Sequence, residues 1–370
     1  MNVTVLGGSN GGYATAADLA LAGHRVRLWR RSASELAPVR AAGTITLVAE
    51  GRQGQARLDR ATDDLKDALD GAEIVVVPLP ATSHDDLATQ LAGRLTGREI
   101  VLLTPGTLGT FVLARSLAQR GAPLPFAFAE TGTLPYLARK TGPTTVSAPV
   151  RAANLPVGVF PASRTEVALA KIAELFPASR PCADVLDAAL TNAGVVIHPP
   201  LVLVNAGAID AGRFDIHAAG TSASARRLID AVDAERVATR RGLGYPAPHY
   251  ELATYYDEAR AAEGLYGAGA KAKLVASGLW SEVLTYEHRY VTEDVALGLT
   301  LFESAGRTAG LATPAVSGLL GVFGALLGRD LAGGRALDHL GLGDLTRREV
   351  LTLFHEGWES HTWSRVIRRP

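Results

Sequence analysis

The sequence predicts an α/β domain followed by an all-helical one, and three observations carry that expectation. The apolar run Val3, Val5, Leu6 opens the chain and feeds into a glycine-rich turn. Strand and helix patterns then alternate through the first half, as in a parallel sheet wound on both faces. After Phe176-Pro177-Ala178-Ser179-Arg180-Pro181 the alternation stops and helical periods take over, for instance Leu228, Ile229, Val232 and Val237 on one face. We place the two domains at 1–182 and 183–370.

Composition narrows the function. A chain of 370 residues has room for two domains. Its 37 basic and 37 acidic residues leave no net field to hold a nucleic acid. Cys182 is the only cysteine, so no intrachain disulfide can form. A strand at residue 2 leaves no room for a signal peptide, and apolar stretches such as 319–327 fall short of the roughly 20 residues of a membrane span. We therefore expect a cytoplasmic protein without a membrane partner.

In chain order, the turn Gly7-Gly8-Ser9-Asn10-Gly11-Gly12 joins the first strand to an Ala-rich helix that stops at Gly23, and Val26, Leu28 and Trp29 return as the second strand. Such a βαβ unit lets backbone approach a pyrophosphate, which the helix N-terminus holds. The unit reads as a Rossmann-type dinucleotide site, with Ser9 standing where the fingerprint has its middle glycine. The second strand ends in Arg30-Arg31-Ser32, with no carboxylate before Glu35. Two guanidiniums and a hydroxyl suit a 2′-phosphate, so NADP(H) is the expected cofactor and NAD(H) the alternative. A solvated basic strand end is the plainer reading.

Residues 44–48 and 55–58 look like an inserted hairpin. A short capped helix from Thr62, strand 74–77, a helix opened by a capping box at Ser83-His84-Asp85-Asp86, strand 100–103 and strand 126–129 follow. Strands near 144–150 and 156–160 and a second capping box, Ser163-Arg164-Thr165-Glu166, complete the domain. Pro78, Thr104 and Pro105 sit in loops after strands, where such sheets bind their ligands. The Tyr-rich segment 245–266 reads as a loop over the cleft or as packing at the domain junction.

Two stretches of the second half carry chemistry. His198 precedes Pro199, which reads as the first residue of a helix and puts the imidazole at a helix N-terminus. Thr292 reads as the N-cap of another helix with Glu293 and Asp294 in its first turn. Taken alone, such a histidine is more often structural than catalytic. In the tail, His355, Glu356 and His361 fit no standard ligand spacing, and we expect no metal.

The glycine turn, Glu130-Thr131-Gly132-Thr133-Leu134-Pro135-Tyr136, Asn192 with His198-Pro199 and Asn205-Ala206-Gly207, and Arg289-Tyr290-Val291-Thr292-Glu293-Asp294 together resemble the octopine/nopaline (opine) dehydrogenase family. The resemblance implies a Rossmann domain joined to a helical one, and reductive condensation of an α-keto acid with the amino group of an amino acid or amine. It implies His198 as acid/base with Asp294 orienting it, substrate contacts from Thr133, Asn205 and Arg289, and small-molecule partners, and it allows a homodimer. Arg213 and Arg226 are further candidates for holding carboxylates. The alternatives are a ketopantoate-reductase-like or β-hydroxyacid dehydrogenase, which would want a lysine beside the substrate carbonyl, and a non-catalytic NADP(H) sensor.

Overall fold

The computed structural model describes residues 1–212, 214–331 and 333–368. Its strands are β1 (Asn2–Leu6), β2 (Arg25–Trp29), β3 (Thr44–Ala49), β4 (Gly54–Arg57), β5 (Arg60–Thr62), β6 (Ile74–Val77), β7 (Ile100–Leu103), β8 (Ala127–Thr131), β9 (Tyr136–Gly142), β10 (Thr145–Arg151), β11 (Leu155–Phe160), β12 (Ser179–Pro181), β13 (Phe214–Asp215) and β14 (Ser281–Glu282). Eight of them form one sheet in the order β12-β11-β8-β7-β6-β1-β2-β5. From β8 to β5 its strands run parallel. β11 pairs antiparallel with β8, and so departs from the all-parallel expectation.

The central strands are apolar at every position because both faces are covered. Ile74, Val76, Ile100 and Leu102 pack into a core beneath α1 (Asn10–Leu21). Their neighbours Val75, Val77, Val101 and Leu103 point the other way. That second core continues without a break into the helices of the second half.

Strand order reverses between β1 and β6, the switch point where such sheets bind ligands. Ser9 donates from Oγ to the Pro78 carbonyl across this point at 2.9 Å.

The hairpin β3–β4 forms as expected, and the structure gives it company. It joins β10 and β9 in a four-stranded sheet ordered β4-β3-β10-β9, which packs over α1. β9 has no counterpart in the sequence reading: apart from Leu137 its outward residues are polar or glycine, so the run shows no apolar block. Tyr136 and Arg151 from this sheet fix Asp18 of α1, the tyrosine hydroxyl donating at 2.7 Å and the guanidinium at 2.7 and 2.6 Å.

Both expected capping boxes fail. Ser83 makes no side-chain cap, and the second helix begins after Arg164 rather than Ser163, again without one, because a tight turn (Ala81–Ser83, Ala162–Arg164) runs straight into each helix. The helix expected from Thr62 is instead a strand and then Leu65–Leu69, capped by Asp64.

In the second half α8 (Ala193–Val204) and α10 (Ala223–Leu243) form the core of a helical bundle. Val185–Val204 is long and apolar enough to cross a membrane by composition, which the sequence reading overlooked. It is 89% buried inside the protein, so its hydrophobicity is that of a core element.

Candidate active site

α8 begins at Asn192, whose side chain accepts from the Gly194 N–H at 2.9 Å. His198 is thus the sixth residue of a helix that continues through Pro199 and Pro200, and the expectation of a helix N-terminus at His198 is wrong. Asn192 starts the helix a turn and a half early. The prolines remove two N–H donors, a loss offset by burial of Pro199, Pro200 and nearly every neighbour in the core.

Asp294 also sits differently from its expected place. His288, not Thr292, caps the short helix Arg289–Thr292, and the chain then widens into a π turn, Asp294–Leu299. Such turns re-aim side chains and recur at functional sites. Here Glu293 Oε2 accepts from the Ala81 N–H at 3.1 Å, while Asp294 turns toward α8. Its Oδ2 lies 2.7 Å from His198 Nδ1. Gly194 makes the approach possible, since a Cβ there would come within 3.0 Å of Asp294 Oδ1 and 3.3 Å of His198 Nδ1.

His198 and Asp294 are 14% and 4% exposed, and burial disfavours the charged form of each. Burial pushes the Asp294 carboxyl up to about 7, against the pull of Arg289 and His288. It pushes His198 well below its ordinary value, helped by the positive charges of Arg289, His288 and Arg139. Tyr290 stacks on the imidazole with ring centroids 3.6 Å apart, and its hydroxyl hydrogen-bonds with His217 at 3.0 Å.

The imidazole faces a cavity of about 230 Å³. Thr133, Arg289 and Pro105 line it, as do Asn10 and Gly11 of the glycine turn. Thr133 hydrogen-bonds with the Tyr266 hydroxyl at 2.6 Å. Tyr266 and Tyr255 of the Tyr-rich segment form part of the wall, whereas Tyr245 packs inward and donates to Asp184 at 2.9 Å. Asn205 does not belong to this cavity: its amide donates to the Leu201 and Gly220 carbonyls at 2.8 and 2.9 Å and closes the end of α8. Arg226 lies over the Tyr256 ring, away from the lining, and Arg213 falls outside the described residues.

The nucleotide turn has the shape the chemistry needs. A Cβ on Gly12 would strike the Gly7 carbonyl, so only glycine lets helix and strand come this close. Ser9 has ordinary extended backbone (φ −71°, ψ 177°) and accepts from the Gly12 N–H at 3.1 Å, so it caps α1 where a glycine could not. Gly7, Gly8 and Ser9 open onto a cavity of about 320 Å³ shared with Arg30, Arg31 and Ser32. The two cations are not free: Arg30 pairs with Glu35, Arg31 with Asp86 at 2.9 Å, and Ser32 caps the following helix. Thr104 is buried and does not line the His198 cavity, whereas Pro105 does. Lys140 of β9 lies 3.9 Å above the Tyr13 ring beside Gly8, a cation the sequence reading missed. Among the described residues no group of three or more His, Cys, Asp or Glu side chains could hold a metal ion.

Known proteins agree with this arrangement. A family model described as "NAD/NADP octopine/nopaline dehydrogenase, alpha-helical domain" matches residues 181–327, and one for the N-terminus of NAD-dependent glycerol-3-phosphate dehydrogenase matches 2–111. An opine dehydrogenase from Arthrobacter sp. (strain 1C) is 29% identical over 347 residues, covering 92% of this chain and 95% of the relative.

The chain carries the helical domain of the octopine/nopaline dehydrogenase family.

It is therefore an NAD(P)-dependent oxidoreductase of the type that acts on CH–NH groups. Vitopine synthase of Allorhizobium ampelinum is 25% identical, covering 82% of this chain and 84% of its own. An octopine dehydrogenase solved with NADH and agmatine shares the fold, with a TM-score of 0.71 at 19% identity over 95% of this chain and 98% of that one. A ketopantoate reductase from Ralstonia eutropha JMP134 superposes less well, with a TM-score of 0.54 at 18% identity over 86% and 96%.

Proposed function

We propose that this protein reduces the imine formed between an α-keto acid and the amino group of an amino acid or amine. The observation that carries the reading is the His198–Asp294 pair facing a cavity that also reaches Asn10 and Gly11 of the dinucleotide turn. The Gly7–Gly12 turn and the first N–H groups of α1 would hold the pyrophosphate, and Pro105 would border the nicotinamide. When bound, the reduced nicotinamide supplies the hydride.

The protein's own residues supply the rest. Asp294 occupies Nδ1 and so leaves Nε2 of His198 for the substrate. A proton held there leaves with the carbinolamine hydroxyl as water, so that the nitrogen keeps its own proton and the carbon is left electrophilic. Arg289, braced at 3.4 Å by Glu293 one turn on, offers its guanidinium to a carboxylate. Tyr290 fixes the plane of the imidazole by stacking and, with Tyr266, Tyr255 and Leu274, limits water in the cavity.

NADPH preference belongs to this proposal. Arg30, Arg31 and Ser32 border the same cavity as the glycine turn, and their partners Glu35 and Asp86 are half or more exposed, so a 2′-phosphate can replace them. Arg31→Ala should weaken NADPH binding about 10-fold and leave NADH almost unchanged, as loss of one charge-assisted contact would. Equal affinity of the unaltered protein for both nucleotides would overturn the preference.

The test of the reaction is oxidation of NADPH or NADH by pyruvate with a panel of amino acids, the product identified by mass spectrometry. A secondary amine dicarboxylate is expected. A hydroxy acid formed without the amine would mean a hydroxyacid dehydrogenase, and binding without turnover a sensor.

A further inference from the structure

The cavity opposite His198 holds a second guanidinium that the sequence reading did not single out. Arg139 comes from β9 of the first domain and sits over the Trp280 ring, 4.5 Å from its centroid. It donates to Glu282 of β14 at 2.9 Å, and Tyr290 lines the same cavity. Among the described residues lining the cavity, Glu282 is the sole carboxylate, against two arginines and three histidines.

We infer that Arg139 binds the carboxylate of the amino-acid substrate, and that Glu282 occupies that place until the substrate displaces it. The inference rests on the reductive-condensation reading given above.

Charge and geometry support it. The product of that reaction carries one carboxylate on each side of its secondary amine, and the cavity offers one guanidinium from each domain, Arg139 and Arg289. Stacking on an aromatic face immobilises a guanidinium while leaving its in-plane donors for a bidentate partner. The side chains of Arg139 and Glu282 are 22% and 34% exposed, and a pair this open to water is weakly held. Arg289 differs, because its partner Glu293 is 9% exposed and is anchored to the Ala81 N–H. Arg139 therefore has a partner that can leave. It also faces the substrate from the opposite domain, so an amino acid bound to both halves bridges the cleft.

The test compares each amino acid with its decarboxylated amine: leucine with isopentylamine, phenylalanine with phenethylamine, and arginine with agmatine, each with pyruvate and reduced nucleotide. The unaltered protein should favour the amino acid. Arg139→Gln should lower kcat/KM for the amino acid about 100-fold, mainly through KM, and change the amine less than threefold, so that the preference disappears. Arg139→Lys should restore part of it. Glu282→Gln should lower KM for the amino acid several-fold and leave the amine unchanged. Parallel loss for acid and amine in Arg139→Gln, or an unchanged preference, would overturn the assignment.

Failure of the underlying reaction would look different, since no amine of the panel would then be consumed by the unaltered protein. In that case calorimetric binding of leucine to the NADPH complex of the unaltered and Arg139→Gln proteins decides the question. Equal affinities would overturn the inference, and a weaker variant would uphold it.

Discussion

Two clusters of buried charge stand where the two halves of the molecule meet, and they are built to opposite plans. Around Glu130 and Arg335 each charged group is tied to backbone. Glu130 accepts from the Leu108 and Thr110 N–H groups at 2.7 and 3.1 Å and from the Thr110 hydroxyl at 2.7 Å. Arg335, from the C-terminal part of the chain, donates to the carbonyls of Ala81, Gly106 and Thr107 at 2.7, 3.3 and 3.1 Å. Around His198 the one hydrogen bond to a carboxylate uses Nδ1, and the other ring nitrogen is left for the cavity. A buried charge saturated by backbone fixes loops in place, whereas one with an unused valence toward a cavity can move a proton. The first cluster thereby positions the Pro105 loop that the second needs.

The largest separation should come from His198→Ala. Loss of the proton relay is worth about 10²–10⁴ in turnover, with nucleotide binding and melting temperature nearly unchanged. A stability loss with turnover per folded molecule intact would reduce His198 to a packing residue and collapse the contrast. Arg335→Ala should do the reverse. It strands the Ala81, Gly106 and Thr107 carbonyls and should cost about 1–3 kcal/mol or more of stability in denaturant unfolding, as buried acceptors left without a donor do, while the folded fraction keeps a working dyad.

Gly194→Ala sharpens the geometry. The added Cβ must displace Asp294 or the imidazole, so turnover should fall about 10-fold or more without loss of nucleotide affinity, because small misplacements of catalytic groups are costly.

Acidity separates the clusters next. The Asp294 carboxyl is held up to about 7, so the dyad keeps its proton below that pH and loses it above. kcat/KM for reduction should be full on the acid side and fall as pH rises through about 7, a break that Asp294→Asn removes. Glu130 is also pushed up to about 7 by burial, but its proton bears on folding. The folded form binds that proton more tightly than the unfolded chain, so the contribution to stability is full below the unfolded pKa of about 4 and declines as pH rises to about 7. Melting temperature against pH should show this slope and Glu130→Gln should flatten it, with the activity profile unmoved.

The smallest effect is expected at Ser9. Ser9→Gly removes the cap of α1 and the bond to Pro78, and should cost only a few tenths of a kcal/mol to about 1 kcal/mol in stability. NADPH affinity should change less than threefold, measured by fluorescence titration.

The sequence by itself determined that an α/β domain precedes a helical one, and where the glycine turn lies. Those signals are local: apolar runs, turn residues and helical period act over a few residues and survive without a tertiary context. Family likeness brought His198 and Asp294 together on paper, yet their local setting was misread. The real cap at Asn192 and the π turn after Glu293 win only once α8 is buried and Gly194 lets the turn approach. Arg139, Trp280 and Glu282 were invisible for a stronger reason. They lie about 140 residues apart, and nothing in a polar edge strand or a surface loop marks which of its charges will face a cavity. Only the docking of the second sheet against the helical half puts that guanidinium on that ring. It also decides which lone pairs stay saturated and which are left for chemistry.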